Sequence, residues 1–412
     1  MVKQITVTTV NLLDYPTQTL YLSPTQPSFP NSPSSPITNL HFIIIPGNPS
    51  ICSWYIPFIH ELHKTLLPSL TPSQRCHFHC VSYAGQGNSP RLVGEINDNN
   101  VCELSGDRSR IRNRNNGNGG KSRNDVSQTL HGQILHKIAF IDYVKATHFS
   151  KSNSSNSNSN SNSSNSNNNN NNSNSSNRII LLGHSIGCHM INKLLHLRPD
   201  LSSLTLHVFH LCPFIRLRKK LFHRLVLSSP PLAEFLLQSS ASFLSAFLPS
   251  KPFEAIASSY MSNALHIKTP LSRKVALQAA SSPAFARNFI RLGAEELRDV
   301  PEEFDVGELA ELSGKVNGGV SFLYGGGGDV WGPKVHYEEL KGRVERGELD
   351  SGSSSSNVTQ KRVDVNFESR IRHDFCVRER EQSVIVSQFV ARRLLEEGGV
   401  GTGIGIRKRS KL

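Results

Sequence analysis

The sequence RIILLGHSIGCHMI, residues 178–191, is the segment that most limits what this chain can fold into. Its apolar run IILL predicts a buried strand, and the apolar-periodic stretch after Gly187 predicts a helix. Ser185 lies between them, with Gly183 and Gly187 two positions away on either side. Glycines are needed there because a Cβ at either position would clash in so tight a turn. The segment therefore predicts a nucleophile elbow, and a plain strand–turn–helix with an incidental serine is the alternative.

The rest of the chain alternates short apolar runs with longer helical patterns, which predicts an α/β fold around a mostly parallel central sheet. Further predicted strands lie at residues 5–10, 20–22, 40–45, 78–81, 204–210, 320–324 and 363–367. Predicted helices lie at residues 53–70, 130–144 and 384–394. Residues 213–301 have helical patterns without obvious strands, and we expect them to form a helical lid over the carboxyl edge of the sheet.

Composition divides the 412 residues into a folded part and polar inserts. The hydrophobic fraction of 37% is low, and two stretches lower it: residues 97–128 are polar and rich in Arg, and residues 149–177 are rich in Ser and Asn. Neither can bury enough apolar surface to offset the entropy lost on ordering, so we expect both to be disordered. The prediction is a single α/β domain over residues 1–412, with a flexible basic tail at 396–412.

Cysteine content and charge limit the compartment and the partners. The seven cysteines are odd in number and scattered, so we expect reduced thiols, no metal site and no cofactor. The start MVKQITVTTVNLL does not resemble a secretory signal, and no run reaches the roughly 18 apolar residues of a membrane-spanning helix. The net charge of +13 fits an anionic lipid surface or solvated basic loops, whereas no recognition motif for nucleic acid accompanies it.

A reactive serine needs a histidine to take its proton and a carboxylate to orient that histidine. In α/β-hydrolases the acid follows the serine and the histidine comes last. Asp329, in GGGGDVWGP after a late strand, is the predicted acid, and His373, after the last predicted strand, is the predicted base. The rival acids are Asp299, Glu302 and Asp305, which lie upstream in helical or lid sequence. Among other histidines, His336 is too close to Asp329, and His184 lies inside the elbow, pointing away from the nucleophile.

An oxyanion hole needs two N–H donors. Ile186 is the first candidate, because it follows the serine at the start of the helix, where the helix dipole also favours negative charge. The second donor is expected from the loop PGNP after the strand at 40–45, whose last proline has no N–H. That leaves Gly47 or Asn48, of which we favour Asn48. A structural turn with no part in catalysis is the alternative.

Several motifs in order along the chain resemble the lipid droplet-associated hydrolase family of the α/β-hydrolase superfamily. They are IIIPGNPS, WYIPFI, VSYAGQGNSP, LHGQILHKIAFIDYV, GHSIG, YGGGGDVWGP and RHDF. The resemblance implies Ser185, Asp329 and His373 as nucleophile, acid and base. It also implies hydrolysis of lipid esters at a droplet surface, with sterol esters or acylglycerols as candidate substrates. The chain departs from the family in its two polar inserts, and the segment after Leu211 matches less clearly.

The chain ends in Ser410-Lys411-Leu412, the tripeptide that a peroxisomal import receptor reads. We therefore expect a peroxisomal location, with the lipid droplet or the endoplasmic reticulum membrane as the alternative. The apolar run at 232–248, beside basic residues at 216–224, suits docking on a lipid surface, and a lid helix packed on the protein's own core is the alternative.

Three functions fit these observations. The leading one is a serine esterase or lipase that cleaves lipid carboxylic esters through a Ser-Asp-His triad and an acyl-enzyme. A catalytically weak α/β-hydrolase scaffold that binds lipid droplets is the alternative from another class. An acyl-CoA thioesterase is the third, and it would suit a peroxisome.

Overall fold

One central sheet organises the part of the chain that the structure, a computed structural model, describes: residues 5–13, 15–24, 37–84, 86, 129–149, 176–216, 239, 242, 251–263, 266–326, 332–349 and 363–397. The strands are β1 (Ile5–Leu12), β2 (Tyr15–Leu22), β3 (Thr38–Ile45), β4 (Gln74–Val81), β5 (Ser176–His184), β6 (Thr205–Leu211), β7 (Val320–Gly325) and β8 (Val363–Glu368). Their order is β1-β2-β4-β3-β5-β6-β7-β8, with β2 antiparallel to both of its neighbours and all other pairs parallel. The predicted α/β-hydrolase fold is confirmed.

The central strands are apolar because helices cover both faces of the sheet. They are α1 (Ile56–Leu66), α2 (Leu130–Val144), α3 (Ile186–Leu197), α4 (Pro199–Leu204), α5 (Lys251–Asn263), α6 (Pro270–Ala280), α7 (Pro283–Asp299), α8 (Val306–Lys315), α9 (Lys334–Glu345) and α10 (Arg380–Glu397). Successive side chains of β3 divide the core: Phe42 packs in one cluster with residues of α1 and α10, and Ile43 packs in another with residues of α2 and α3.

The register of the parallel strands brings their carboxyl ends to one edge. Ile45 at the end of β3 lies opposite Gly183 of β5, and Leu211 at the end of β6 lies opposite His184. The loops that follow these strands therefore begin side by side, and the residue after β5 is Ser185. The predicted active site would therefore lie at this edge of the sheet.

The helix expected at 53–70 is broken into three pieces. A 3₁₀ turn at Cys52–Tyr55 precedes α1, and a second 3₁₀ turn at Leu67–Ser69 follows it. Prolines explain both breaks: Pro57 lies in the first turn of α1, where its missing N–H costs nothing, and Pro68 lies in the turn after it. The helix predicted at 130–144 is confirmed with those bounds and continues as a π turn at Lys145–Phe149.

The predicted inserts, lid and tail lie partly outside the described residues. The insert at 97–128 and the tripeptide at 410–412 lie wholly outside them, as does nearly all of the apolar run at 232–248. In the expected lid, α5, α6 and α7 are described.

Regular structure extends into the expected insert at 149–177 and into the expected tail at 396–412. The strand β5 starts at Ser176, inside the expected insert at 149–177, because Ser176 and Asn177 pair with Thr38 and Asn39 of β3. The Asn39 side-chain amide also donates to the Oδ1 of Asn177 at 3.1 Å. The last helix, α10, extends to Glu397 and so includes the first two residues of the expected tail at 396–412.

Two further properties concern the described residues as a set. None of the helices in these ranges combines the length and the apolarity that crossing a membrane requires. The six cysteines that the structure describes are all buried: Cys52, Cys76, Cys80, Cys188, Cys212 and Cys376.

Candidate active site

Ser185 occupies the turn between β5 and α3 with φ of 56° and ψ of −126°. Residues with a side chain rarely adopt this backbone conformation, which costs about 1–3 kcal/mol. Three hydrogen bonds hold it in place. The Ser185 N–H donates to the Leu211 carbonyl at 3.1 Å, and the Ser185 carbonyl accepts the N–H groups of Cys188 at 3.0 Å and Phe214 at 3.1 Å. The end of β6 and the chain beyond it therefore fix the strained turn.

Gly183 and Gly187 lie where a side chain has no space. An ideal Cβ on Gly183 would approach the Cα of Cys188 to 2.8 Å, and one on Gly187 would approach the Ile45 carbonyl oxygen to 2.2 Å. The atoms in the way belong to the backbone, so a change of side-chain rotamer could not relieve the clash. The two glycines therefore allow β5, α3 and the end of β3 to meet closely around Ser185.

The imidazole of His373 reaches the serine from the chain that follows β8. Its Nε2 lies 2.7 Å from the Oγ of Ser185, although the two residues are 188 positions apart. The segment that carries His373 is tied to the end of β7, since the Gly326 N–H donates to the Ile371 carbonyl at 3.0 Å. Of the histidines considered from the sequence, His373 is the one that the structure places on the serine, while His336 is buried on α9.

Asp329 lies outside the described residues, so the acid of the triad stays a prediction. The chain that follows β7 toward Asp329 begins next to the segment that carries His373. An ideal Cβ on Gly326 would come within 2.4 Å of the Cα of Ser369. Of the rival acids, Asp299 ends α7, and Asp305 caps α8 by accepting the N–H of Glu308 at 2.9 Å. The Asp305 carboxylate is therefore already engaged in capping α8.

The loop after β3 lies directly against Ser185. A Cβ on Gly47 would be 2.7 Å from the Cβ of Ser185. The Gly47 N–H donates to the Tyr55 hydroxyl at 3.2 Å, so that group is taken. Among the described atoms, none accepts the N–H of Asn48, and Ile186 is the first residue of α3, where helical N–H groups have no partner within the helix. The Asn48 and Ile186 amides are therefore the two candidate donors.

The Asn48 side chain joins this loop to α7. Its Nδ2 donates to the Phe289 carbonyl at 3.2 Å, and its Oδ1 accepts from the Gln86 amide at 3.2 Å. Gln86 in turn accepts the N–H of Ser50 at 2.8 Å. Burial raises the pKa of the Glu296 carboxyl on α7 well above its ordinary range, and a hydrogen bond with Asn48 acts in the opposite direction. The backbone that would present the Asn48 N–H is thus held by a connected set of amide and carboxyl groups.

Three residues of this site escape prediction from the sequence. Tyr55 is expected only on the apolar face of a helix, yet its hydroxyl contacts Gly47 and lies 2.6 Å from the Nδ1 of His184. Glu296 is an acidic residue in a helical pattern, which ordinarily indicates an exposed face. Gln86 and Tyr55 fall within the family motifs VSYAGQGNSP and WYIPFI, but neither motif says what these side chains contact.

The described ranges contain no group of three or more His, Cys, Asp or Glu side chains that could hold a metal ion. The described residues at this site supply a candidate nucleophile, a candidate base and candidate amide donors. The Ser185 hydroxyl and the His373 imidazole meet at the end of β5, and the loop that carries Asn48 lies against Ser185.

A comparison with protein families shows which family the chain belongs to. The family described as lipid-droplet associated hydrolase matches residues 38–376. The chain belongs to the lipid-droplet associated hydrolase family. It is 25% identical over 315 residues to the lipid droplet-associated hydrolase of Homo sapiens, which covers 75% of this chain and 76% of that protein. It is 24% identical over 311 residues to the protein of that name from Mus musculus, covering 74% and 75%.

Solved structures are also similar to this member of the lipid-droplet associated hydrolase family. A peroxisomal alpha-beta-hydrolase from Saccharomyces cerevisiae is 10% identical, with a TM-score of 0.49, covering 95% of this chain and 89% of that one. A thermophilic esterase from Thermogutta terrifontis is 11% identical, with a TM-score of 0.44, covering 95% and 98%.

Proposed function

We propose that this hydrolase cleaves lipid carboxylic esters through a Ser185–His373–Asp329 triad and an acyl-enzyme. One observation carries the proposal: the Nε2 of His373 lies 2.7 Å from the Oγ of Ser185, at a strained turn between β5 and α3. A base at this distance can accept the hydroxyl proton as the oxygen attacks. Family membership supports hydrolysis as the type of reaction.

In the proposed mechanism, the Oγ of Ser185 attacks the acyl carbonyl carbon while His373 takes the hydroxyl proton at Nε2. The N–H groups of Asn48 and Ile186 stabilise the oxyanion that forms. His373 then gives its proton to the leaving alcohol, and an acyl-enzyme remains on Ser185. A water molecule, deprotonated by the same imidazole, releases the carboxylic acid and restores the serine, and Asp329 keeps the imidazole oriented throughout.

Lipid esters are the proposed substrate class, with sterol esters or acylglycerols as candidates. The relatives are named for lipid droplets, which contain such esters behind a surface layer. The lid helix α5 offers a contact for that surface, because Ile256 and Tyr260 are 67% and 62% exposed and lie four residues apart on one helix face.

A fluorophosphonate probe tests the nucleophile. We expect the purified protein to be labelled and Ser185→Ala to lose labelling completely, because the probe reacts with an activated serine. His373→Gln and Asp329→Asn should slow labelling by about a thousandfold or more, since each disables the base. Ser203→Ala removes an exposed hydroxyl on α4 and should be labelled like the wild type, with circular dichroism reporting the fold of every variant.

The outcome also separates the three functions. A folded protein that is not labelled would contradict the enzyme and favour a scaffold that binds droplets. Turnover of a panel of neutral esters and acyl-CoAs, with Ser185→Ala as the blank, then distinguishes an esterase from a thioesterase. Faster hydrolysis of acyl-CoAs than of any ester would overturn the proposed substrate class.

We propose two cellular sites for the protein: the lipid droplet surface, from the relatives' names, and the peroxisome, from the Ser410-Lys411-Leu412 terminus. Imaging a protein with a fluorescent tag at its N-terminus tests both. Removal of residues 410–412 should abolish overlap with a peroxisomal marker and leave droplet overlap unchanged. A distribution that is the same with and without these three residues would rule out the peroxisomal address.

A further inference from the structure

A buried chain of hydrogen bonds runs behind the nucleophile and links three separate parts of the site. The N–H of Gly47 lies 3.2 Å from the Tyr55 hydroxyl, and that hydroxyl lies 2.6 Å from the Nδ1 of His184. The Nε2 of His184 lies 2.6 Å from the backbone carbonyl oxygen of His373. Tyr55 and His184 are 2% and 6% exposed, so water competes little for these bonds.

The direction of each hydrogen bond follows from the end groups. The carbonyl of His373 can only accept, so the Nε2 of His184 must carry a hydrogen. The N–H of Gly47 can only donate, so the Tyr55 oxygen accepts there and its single hydrogen points to the Nδ1 of His184. Burial raises the pKa of the Tyr55 hydroxyl well above its ordinary value, which keeps that hydrogen in place. These two bonds together assign the Nε2–H tautomer to His184, with its Nδ1 as acceptor.

Each end of this chain meets a group that the proposed mechanism uses. At one end, Tyr55 occupies the Gly47 N–H and leaves the Asn48 N–H as the donor from that loop. At the other end, His184 holds the backbone of His373. A shift of that backbone would move the imidazole away from Ser185. His184, in the middle of this chain of hydrogen bonds, directly precedes Ser185 in the elbow. An aromatic contact also holds His184: its ring centroid lies 5.0 Å from that of Phe375, in an edge-on geometry.

We propose that Tyr55 and His184 are positioning residues, which set the place of the His373 imidazole and of the Asn48 amide relative to Ser185. This inference rests on the proposed triad and extends it. Neither residue reaches the reacting atoms, so both act through groups that do. A misplacement of about 1 Å can cost about a hundredfold in rate, which gives a hydrogen-bonded brace of this kind a measurable effect.

Rates and a double-mutant cycle test the proposal. Tyr55→Phe removes one oxygen and should lower kcat for a p-nitrophenyl ester about tenfold, the size expected for one buried hydrogen bond, with KM within about twofold. His184→Phe should lower kcat about a hundredfold. The double variant should be no slower than His184→Phe alone, because the two residues act as one unit. Tyr143→Phe, the same change at a tyrosine 38% exposed on α2, should match the wild type.

A merely structural role gives a different pattern. Thermal unfolding would then shift while kcat of the folded Tyr55→Phe protein stayed at the wild-type value, or the two losses would multiply in the double variant. Either result overturns the proposal. The Tyr55→Phe and His184→Phe rates are compared with wild type and Ser185→Ala in one series, so an inactive wild type would instead count against the proposed function.

A spectroscopic measurement tests the brace without any turnover. In protein with ¹⁵N-labelled histidine, the signals that vanish in His184→Phe belong to His184. They should be those of a neutral imidazole protonated at Nε2 and unprotonated at Nδ1, and Tyr55→Phe should shift the Nδ1 signal because it removes the hydrogen donated there. A signal for Nδ1–H, or no shift in Tyr55→Phe, would contradict the arrangement.

Discussion

The strained backbone of Ser185 has a cost that its neighbours must offset. A conformation with φ of 56° and ψ of −126° is stable only where surrounding atoms leave no alternative. Here the carbonyl of Leu211 and the N–H groups of Cys188 and Phe214 bind both sides of the serine peptide. Close packing of α3 on the end of β3 completes the constraint, and that packing depends on residues without side chains.

The closest of these contacts gives a prediction at residue scale. Gly187→Ala should lower the free energy of unfolding by about 3 kcal/mol, because its Cβ would lie 2.2 Å from the Ile45 carbonyl oxygen and the backbone would have to shift. Urea unfolding followed by circular dichroism measures the loss. The matched control is Gly307→Ala in α8, where a Cβ would lie 3.6 Å from the Asp305 carboxylate, and where alanine should add about 0.5–1 kcal/mol. Equal stability of Gly187→Ala and wild type would refute the steric argument.

Of the described helices, α7 contacts the loop after β3 through the side chain of Asn48. It contacts the Asn48 side chain through the carbonyl of Phe289 and through Glu296. The pKa of the buried Glu296 carboxyl is raised, so the folded protein keeps a proton there that the unfolded chain releases above its ordinary pKa near 4.5. The sign of the linkage follows: this group costs stability as the pH rises above that value.

Glu296→Gln should therefore stabilise the protein at neutral pH and not at pH 4.5. Glutamine keeps the shape and the hydrogen-bonding capacity without the titration, and each pH unit over which the proton difference persists adds about 1.4 kcal/mol. Thermal unfolding from pH 4.5 to 8 measures the difference. Glu295→Gln, next to it on α7, removes a carboxylate that pairs with Arg298 at the surface and should change little. A Glu296→Gln protein no more stable than wild type at pH 8 would show that the carboxyl ionises freely.

Sequence patterns predict the elements better than they predict the contacts between them. The buried strands and the helix at 130–144 follow from apolar periodicity, and Ser185 and His373 follow from their places after β5 and β8. The part of β2 before residue 20 is missed because its sequence, YPTQT, is polar and contains a proline. The role of Tyr55 depends on a partner 129 positions away, and nothing local distinguishes its hydroxyl from that of a core tyrosine. Glu296 is missed for the same reason.

Across the whole molecule, several histidines are buried in the neutral form. Burial lowers the pKa of His41 and of His189 to about 4 and that of His210 to about 3. The unfolded chain takes up protons on these groups as the pH falls below 6.5, while the folded protein does not. Stability is therefore lost between pH 6.5 and about pH 4, by about 1.4 kcal/mol per histidine per pH unit.

His210 offers the sharpest test of this acid sensitivity. Within the described structure neither of its ring nitrogens has a hydrogen-bond partner, and its ring lies 4.7 Å from that of Phe322. His210→Phe should raise the free energy of unfolding more at pH 5 than at pH 7.5, by about 2 kcal/mol, because one titrating group is removed. His196→Gln, at an exposed position on α3, serves as the control. An equal gain at both pH values would mean that His210 is not a source of the acid sensitivity.

The distance of 188 positions between Ser185 and His373 has a consequence for protein synthesis. A ribosome that has translated the elbow and the PGNP loop has made every proposed donor to the oxyanion, but no base. The proposed base, His373, is made only after β8, the last strand of the described sheet. A chain that stops before His373 would therefore lack the proposed base, and we expect its Ser185 to be unreactive.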